Sequence, residues 1–149
     1  MPRIERSATV SWEGNVARGT GLISGETGSF TELPFSLPTR LGAVAGKTSP
    51  EELLAAAHGG CLSMSLTGEL TSAGTPPERL DVNVKIVMDE VPGKGHLVIA
   101  SEADIVARVP GIDEARFEAA VRAADEGCSF SALLRASASV TVRAQLEST

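Results

Sequence analysis

Tyrosine is absent from this chain of 149 residues, tryptophan occurs once, at Trp12, and phenylalanine only four times. The core must therefore be built from aliphatic side chains and alanine. Cysteine and histidine are almost missing as well: Cys61, Cys128, His58 and His96 are all there is. They stand at no standard ligand spacing, which leaves no metal or cofactor to expect. There is also no paired Cys-x-x-Cys, no glycine-rich phosphate loop and no G-x-S-x-G elbow. No run of Lys or Arg interrupts a net charge of −6, which argues against a nucleic-acid partner. No stretch approaches the roughly 18 apolar residues of a membrane span, and MPRIERSATVSW has no apolar signal core. These absences predict a cytoplasmic protein that does not engage membranes. Thiols there stay reduced, so the two cysteines are either inert core residues or redox and catalytic groups, not a permanent staple.

What is present is ordinary in proportion: 42% hydrophobic and 21% charged residues suit one globular domain, 1–149. SATVSW places Ala8, Val10 and Trp12 on one face, the two-residue period of a strand. EGN turns the chain, and VARGTGLIS makes a second strand weakened by glycine. A third follows near FTELPFSL, short or at an edge because of Pro34 and Pro38, and PTRLGAVAGKT reads as a loop. LDVNVKIVMDEV and HLVIASEADIVARV are strands joined by a PGKG turn. PGIDEARFEAAVRAADEGC carries Phe117, Ala120, Val121 and Ala124 at helical spacing, with Gly127 as the stop. SFSALLR makes a further helical turn, and ASASVTVRAQL alternates as the last strand. The order β-β-β-α-β-β-α-(α)-β predicts an α+β fold of largely antiparallel sheets packed around a central helix.

That helix is the most informative segment. In SPEELLAAAHGGCLSMSL, Ser49 is a good N-cap, Pro50 suits the first helical position, and Glu52 stands three residues on, as in a capping box. Leu53, Leu54, Ala57, Cys61, Leu62, Ser65 and Leu66 form a stripe, and AGTPPER ends the helix near Ser72. Gly59 and Gly60 cost roughly 1 kcal/mol each against alanine, so room for a substrate or a facing helix is expected there. His58 lies close enough to Cys61 for a nucleophile pair or two metal ligands. The simpler reading is a histidine that packs beside the helix and finds a hydrogen-bond partner. Glu51 and Glu52 complement the helix dipole. Glu51 is on the cysteine's side of the helix but roughly 15 Å along its axis, so it can reach the thiol only through an arginine.

TRLGAVAGKTSPEELLAAAHGGCLSMSL resembles the hallmark region of the OsmC/Ohr proteins, with Thr-Arg in the preceding loop, Pro-Glu-Glu-Leu at the helix start, small residues and then the cysteine. ADEGCSFSALLRASASVTV matches the second hallmark, a cysteine after a late helix and before the last strand. VSWEGNVARGTG and VPGID fit the OsmC branch, so the resemblance covers nearly the whole chain. It implies an intertwined homodimer and thiol-dependent reduction of peroxides, organic hydroperoxides above hydrogen peroxide, with a dithiol such as a lipoylated protein as reductant. It makes Cys61 the peroxidatic cysteine, Cys128 the resolving cysteine, and Arg40 and Glu51 a bidentate ion pair that organises the site. This chain departs from the family in having Ser129 where proline usually follows the second cysteine. Arg18 lies near the position of the arginine in the Ohr branch and competes with Arg40 for the role. The chemistry is consistent with these roles: a peroxide is attacked by thiolate, a guanidinium stabilises the charge, and a second thiol protects the sulfenic acid from overoxidation. The rival readings are a small-molecule-binding or redox-sensing member of the same fold, and a cysteine hydrolase using Cys61 and His58.

Overall fold

The computed structural model describes residues 2–42 and 45–148. Ala43 and Val44, inside the loop expected over 38–48, lie outside them. The chain divides into two compact units, Met1–Leu53 and Leu54–Thr149.

In the first unit, β1 (Ala8–Glu13), β2 (Thr20–Gly25) and β3 (Leu33–Phe35) form an antiparallel sheet in that order. The glycines that weaken the second strand in the sequence have a packing reason. Gly21 lies beneath the rings of Trp12 and Phe35, where no Cβ would fit, and those rings meet at a centroid distance of 5.6 Å. The strand thus trades β-propensity for a close aromatic cover. Pro34 sits in β3, a three-residue edge strand, as its missing N–H requires. The expected loop contains a short helix, α1 (Leu37–Leu41). Ser36 caps it, accepting the Thr39 N–H while the Thr39 hydroxyl accepts the Ser36 N–H at 2.9 Å. Five residues are too few to show a 3.6-residue period, so only the cap chemistry could have announced this turn.

Helix α2 (Pro50–Ser72) begins and ends where the caps and breakers of the sequence put it. The Glu52 N–H donates to Ser49 Oγ at 3.1 Å, the first arm of the capping box. The Glu52 carboxylate does not return to Ser49; it accepts the Thr48 hydroxyl at 2.8 Å. The helix is less enclosed than a central core helix. Its fully buried residues are His58, Leu62, Leu66 and Leu70, one stripe at i+4 spacing, while Met64 is 71% exposed. Gly59 faces β4 (Arg79–Val91), where an added Cβ would stand 3.3 Å from Val84 Cγ2, whereas Gly60 faces open space. Close helix–sheet packing accounts for the first glycine; room of the expected kind remains only at the second.

In the second unit, β4 pairs antiparallel with β5 (Gly95–Arg108). Helices α3 (Glu114–Gly127) and α4 (Ser129–Arg135) follow, and β6 (Ser139–Leu146) returns beside β5 in parallel. The α+β class and, apart from α1, the element order agree with the sequence, and this parallel pair is an exception within largely antiparallel sheets. A parallel return needs a crossover of a dozen residues or more, which α3 and α4 supply. Along β5, Ser101, Ala103, Ile105 and Ala107 point alternately inward and are buried. Ala103, Ile105 and Ala107 meet Leu62, Leu66 and Leu70 of α2 and Phe117, Ala124 and Cys128 in one hydrophobic core. No helix among the described residues is long and apolar enough to cross a membrane.

Candidate active site

Cys61 and Cys128 are brought together. Cys61 lies mid-way along α2 and is half-buried; Cys128 is 1% exposed at the junction of α3 and α4. Both are free thiols. The junction follows from local chemistry: Asp113 caps α3 by accepting the Arg116 N–H at 2.8 Å, and Gly127 ends it. Cys128 then serves as the N-cap of α4, its sulfur accepting the Ser131 N–H at 3.4 Å. A cysteine used as a helix cap has its side chain fixed by backbone, which sets the direction of its sulfur.

The Cys61 sulfur lies 3.6 Å from Ser129 Oγ. Burial pushes its pKa up, but hydrogen bonds from the Phe130 N–H, the Ser129 hydroxyl, the Cys128 thiol and the Ser129 N–H together bring it below the ordinary 9.0. Donors that favour the charged form thus outweigh the cost of desolvating it. A half-exposed thiol of lowered pKa is the reactive kind, whereas a buried thiol without access is not.

His58 does what the simpler reading expects. It is fully buried, with Nδ1 2.7 Å from Ser101 Oγ on β5 and Nε2 2.8 Å from Ser131 Oγ on α4. Both ring nitrogens are taken, so His58 is neither a base for Cys61 nor a metal ligand in this arrangement. Neutral imidazole gives one donor and one acceptor, so one serine donates to the ring and the other accepts. Desolvation lowers its pKa, nearby Asp125 opposes this, and Arg135 reinforces it. This has a measurable sign. Above pH 6.5, the ordinary histidine value, folded and unfolded states are both neutral at this ring and its contribution is complete. As the pH falls below 6.5 the unfolded chain takes up a proton first, so stability drops, by at most about 1.4 kcal/mol per pH unit for one group. Denaturant titrations at pH 7.5 and 5.5 should show this loss, and His58→Gln, which cannot titrate, should reduce it. His96 stands on the exposed β4–β5 hairpin opposite Glu90, away from this cluster.

Arg40 and Glu51 also meet, within the first unit. Arg40 is in the last turn of α1 and Glu51 in the first turn of α2. The pair is not the two-oxygen fork expected of it: Arg40 Nε and Nη2 both reach Glu51 Oε1, each at 2.7 Å. Glu51 Oε2 is buried without a partner among the described residues. Nε and Nη2 share one edge of the guanidinium, so an approach along that edge brings both to whichever oxygen faces it. Arg40 also borders a cleft of about 130 Å³ whose walls are Trp12, Val16, Phe35, Leu37 and Pro50. Arg18 is on the exposed β1–β2 turn, its N–H bound to Asn15 Oδ1 at 2.9 Å.

Sequence reading missed Ser101, Ser131 and the contact made by Ser129. A signal for the first was available, since Ser101 is the one hydroxyl in the inward row 101, 103, 105, 107 and His58 the one polar member of the stripe 58, 62, 66, 70. Buried polar groups in matching rows must find one another.

A half-buried thiol of lowered pKa packed against the cluster that holds a buried second thiol, in an α+β fold, is the arrangement of a cysteine-based redox protein. The chain belongs to the OsmC family: the family model described as OsmC-like protein matches residues 43–143. It is 36% identical over 146 residues to peroxiredoxin OsmC of Escherichia coli strain K12, covering 97% of this chain and 99% of that one. Its fold is similar to that of an organic hydroperoxide resistance protein OsmC from Legionella pneumophila, with a TM-score of 0.72 at 21% identity, covering 96% of this chain and 99% of the other. It is also similar to OhrB of Bacillus subtilis, with a TM-score of 0.69 at 20% identity, covering 93% and 98%. At such low identity these two likenesses speak to the fold alone.

Proposed function

We propose that this protein is a thiol-dependent peroxidase that reduces organic hydroperoxides to alcohols. The observation that carries the proposal is a half-buried Cys61 packed against the core cluster that holds the buried Cys128, with its sulfur 3.6 Å from the hydroxyl of the residue that follows Cys128. The name of the E. coli relative supports the same activity. The Cys61 thiolate attacks the terminal peroxide oxygen, the O–O bond breaks, and the alkoxide takes a proton and leaves as alcohol. Cys61 is then a sulfenic acid. The Cys128 thiol condenses with it, forming a disulfide and releasing water, which halts oxidation at its reversible stage. A dithiol reductant, such as a lipoylated protein, returns both thiols by exchange and departs as a disulfide.

Arg40 supplies the cation of this reaction. Its pairing with Glu51 fixes the guanidinium, and a fixed donor stabilises charge arriving on the leaving oxygen without reorganising. Trp12, Val16, Phe35, Leu37 and Pro50 beside it suit an alkyl or aryl group. The working form is a homodimer. Apolar groups left open within each unit support this, among them Val10 at 59% and Met64 at 71% exposed. The action is cytoplasmic, where both cysteines stay reduced between turnovers.

Stopped-flow oxidation of the reduced protein tests the reading, at a micromolar concentration where light scattering should give the mass of two chains. Rapid loss of thiol is expected with an alkyl hydroperoxide, and slower loss with hydrogen peroxide. No reaction with either would leave a binding or sensing role.

A further inference from the structure

Ser129 opens α4 directly after the buried cysteine. At the first position of a helix the backbone N–H has no partner inside the helix, which is why proline is so well tolerated there. In this chain the position is used differently. Ser129 Oγ lies 3.6 Å from Cys61 Sγ, and the backbone N–H groups of Ser129 and Phe130 favour the charged form of the same sulfur. A seven-residue helix offers little dipole. What matters is the discrete contacts, and they are held in place: the next residue but one, Ser131, is tied through its N–H to Cys128 Sγ and through its hydroxyl to buried His58. The turn that presents Ser129 is therefore braced from behind by α2 and β5.

We propose that Ser129 is a further catalytic residue, whose hydroxyl donates a hydrogen bond to the Cys61 sulfur and holds it as the attacking thiolate. This rests on the reading of Cys61 as the nucleophile. Proline at this position would keep the helix start but would have neither the hydroxyl nor the N–H to offer. In the neutral thiol the hydroxyl has a weak partner; in the thiolate it has a charge. The difference favours ionisation and lowers the pH at which Cys61 becomes reactive.

The test is alkylation of reduced wild type and of Ser129→Ala, Ser129→Thr and Ser129→Pro by iodoacetamide across pH 5 to 10, with Cys61 followed by peptide mass spectrometry. At pH 6.5, Ser129→Pro should alkylate about tenfold more slowly than wild type, in line with loss of hydrogen bonds to a charged group. Ser129→Ala should fall between the two and Ser129→Thr should match wild type, while all four converge at high pH, where every thiol is ionised. Profiles for Ser129→Ala and Ser129→Pro that superimpose on wild type would overturn the proposal, as would a Ser129→Thr profile displaced as far as that of Ser129→Ala. If Ser129→Pro fails to fold, the alanine and threonine profiles decide by themselves. Alkylation needs no peroxide, so an unreactive wild type in the stopped-flow experiment would count against the peroxidase reading and leave this one standing.

Discussion

Cys61→Ser abolishes even a single turnover with an alkyl hydroperoxide, while Cys128→Ser still consumes one equivalent and then stalls. This is the expected division between the two thiols, and it follows from their surroundings. Cys61 is half-exposed and its pKa is lowered by donors on the α4 start; Cys128 is 1% exposed. Attack requires thiolate and access together, and only Cys61 has both. Mass spectrometry after one equivalent of peroxide reads the outcome directly. Wild type should lose two hydrogens, as an intramolecular disulfide forms. Cys128→Ser should gain one oxygen as a sulfenic acid and proceed with excess peroxide to the irreversible sulfinic acid. Cys61→Ser should not change. The Cys128→Ser variant should keep its fold, because serine is itself a preferred N-cap and can replace the sulfur as acceptor of the Ser131 N–H. A reversed pattern would exchange the two roles.

Arg40→Ala slows peroxide reduction about a hundredfold, roughly 3 kcal/mol in the barrier, while changing stability by no more than about 1 kcal/mol. The small stability term follows from exposure: the Arg40 side chain is 43% accessible, and ion pairs so close to solvent contribute little. The large rate term is what a pre-positioned donor gives when charge develops on the leaving oxygen. Glu51→Gln should fall between wild type and Arg40→Ala, since the guanidinium remains but loses its charged anchor. Arg18→Ala should react at the wild-type rate, because that side chain belongs to an exposed turn. Thiol-loss kinetics under pseudo-first-order peroxide, with thermal melts of the same preparations, separate rate from stability. A crippled Arg18→Ala beside a normal Arg40→Ala would transfer the role to Arg18.

How much of this was legible beforehand depends on the range over which each signal acts. The limits of α2 could be read because Ser49, Pro50 and Glu52 act within one turn, and the strands because alternation is a property of neighbours. The pairing of Arg40 with Glu51 and of Cys61 with Cys128 came from resemblance, since nothing local announces a contact between separate elements. The fork expected at Glu51 proved to be a one-oxygen pairing, a detail set by how α1 approaches the start of α2.

By itself, then, the sequence determined the order of every element except α1, the α+β class, and the two thiols as the groups able to do redox chemistry in a chain otherwise poor in reactive side chains. Tertiary structure alone decided the parallel seating of β6 beside β5, which local alternation cannot specify because either strand direction shows the same faces. It also decided that His58 is a bridge between Ser101 and Ser131, not a base, and that Ser129 faces the sulfur of Cys61. Each of these rests on hydrogen bonds between elements far apart in the chain. Burial makes such bonds obligatory, but only the packing of α2, β5 and α4 selects which partners come within reach.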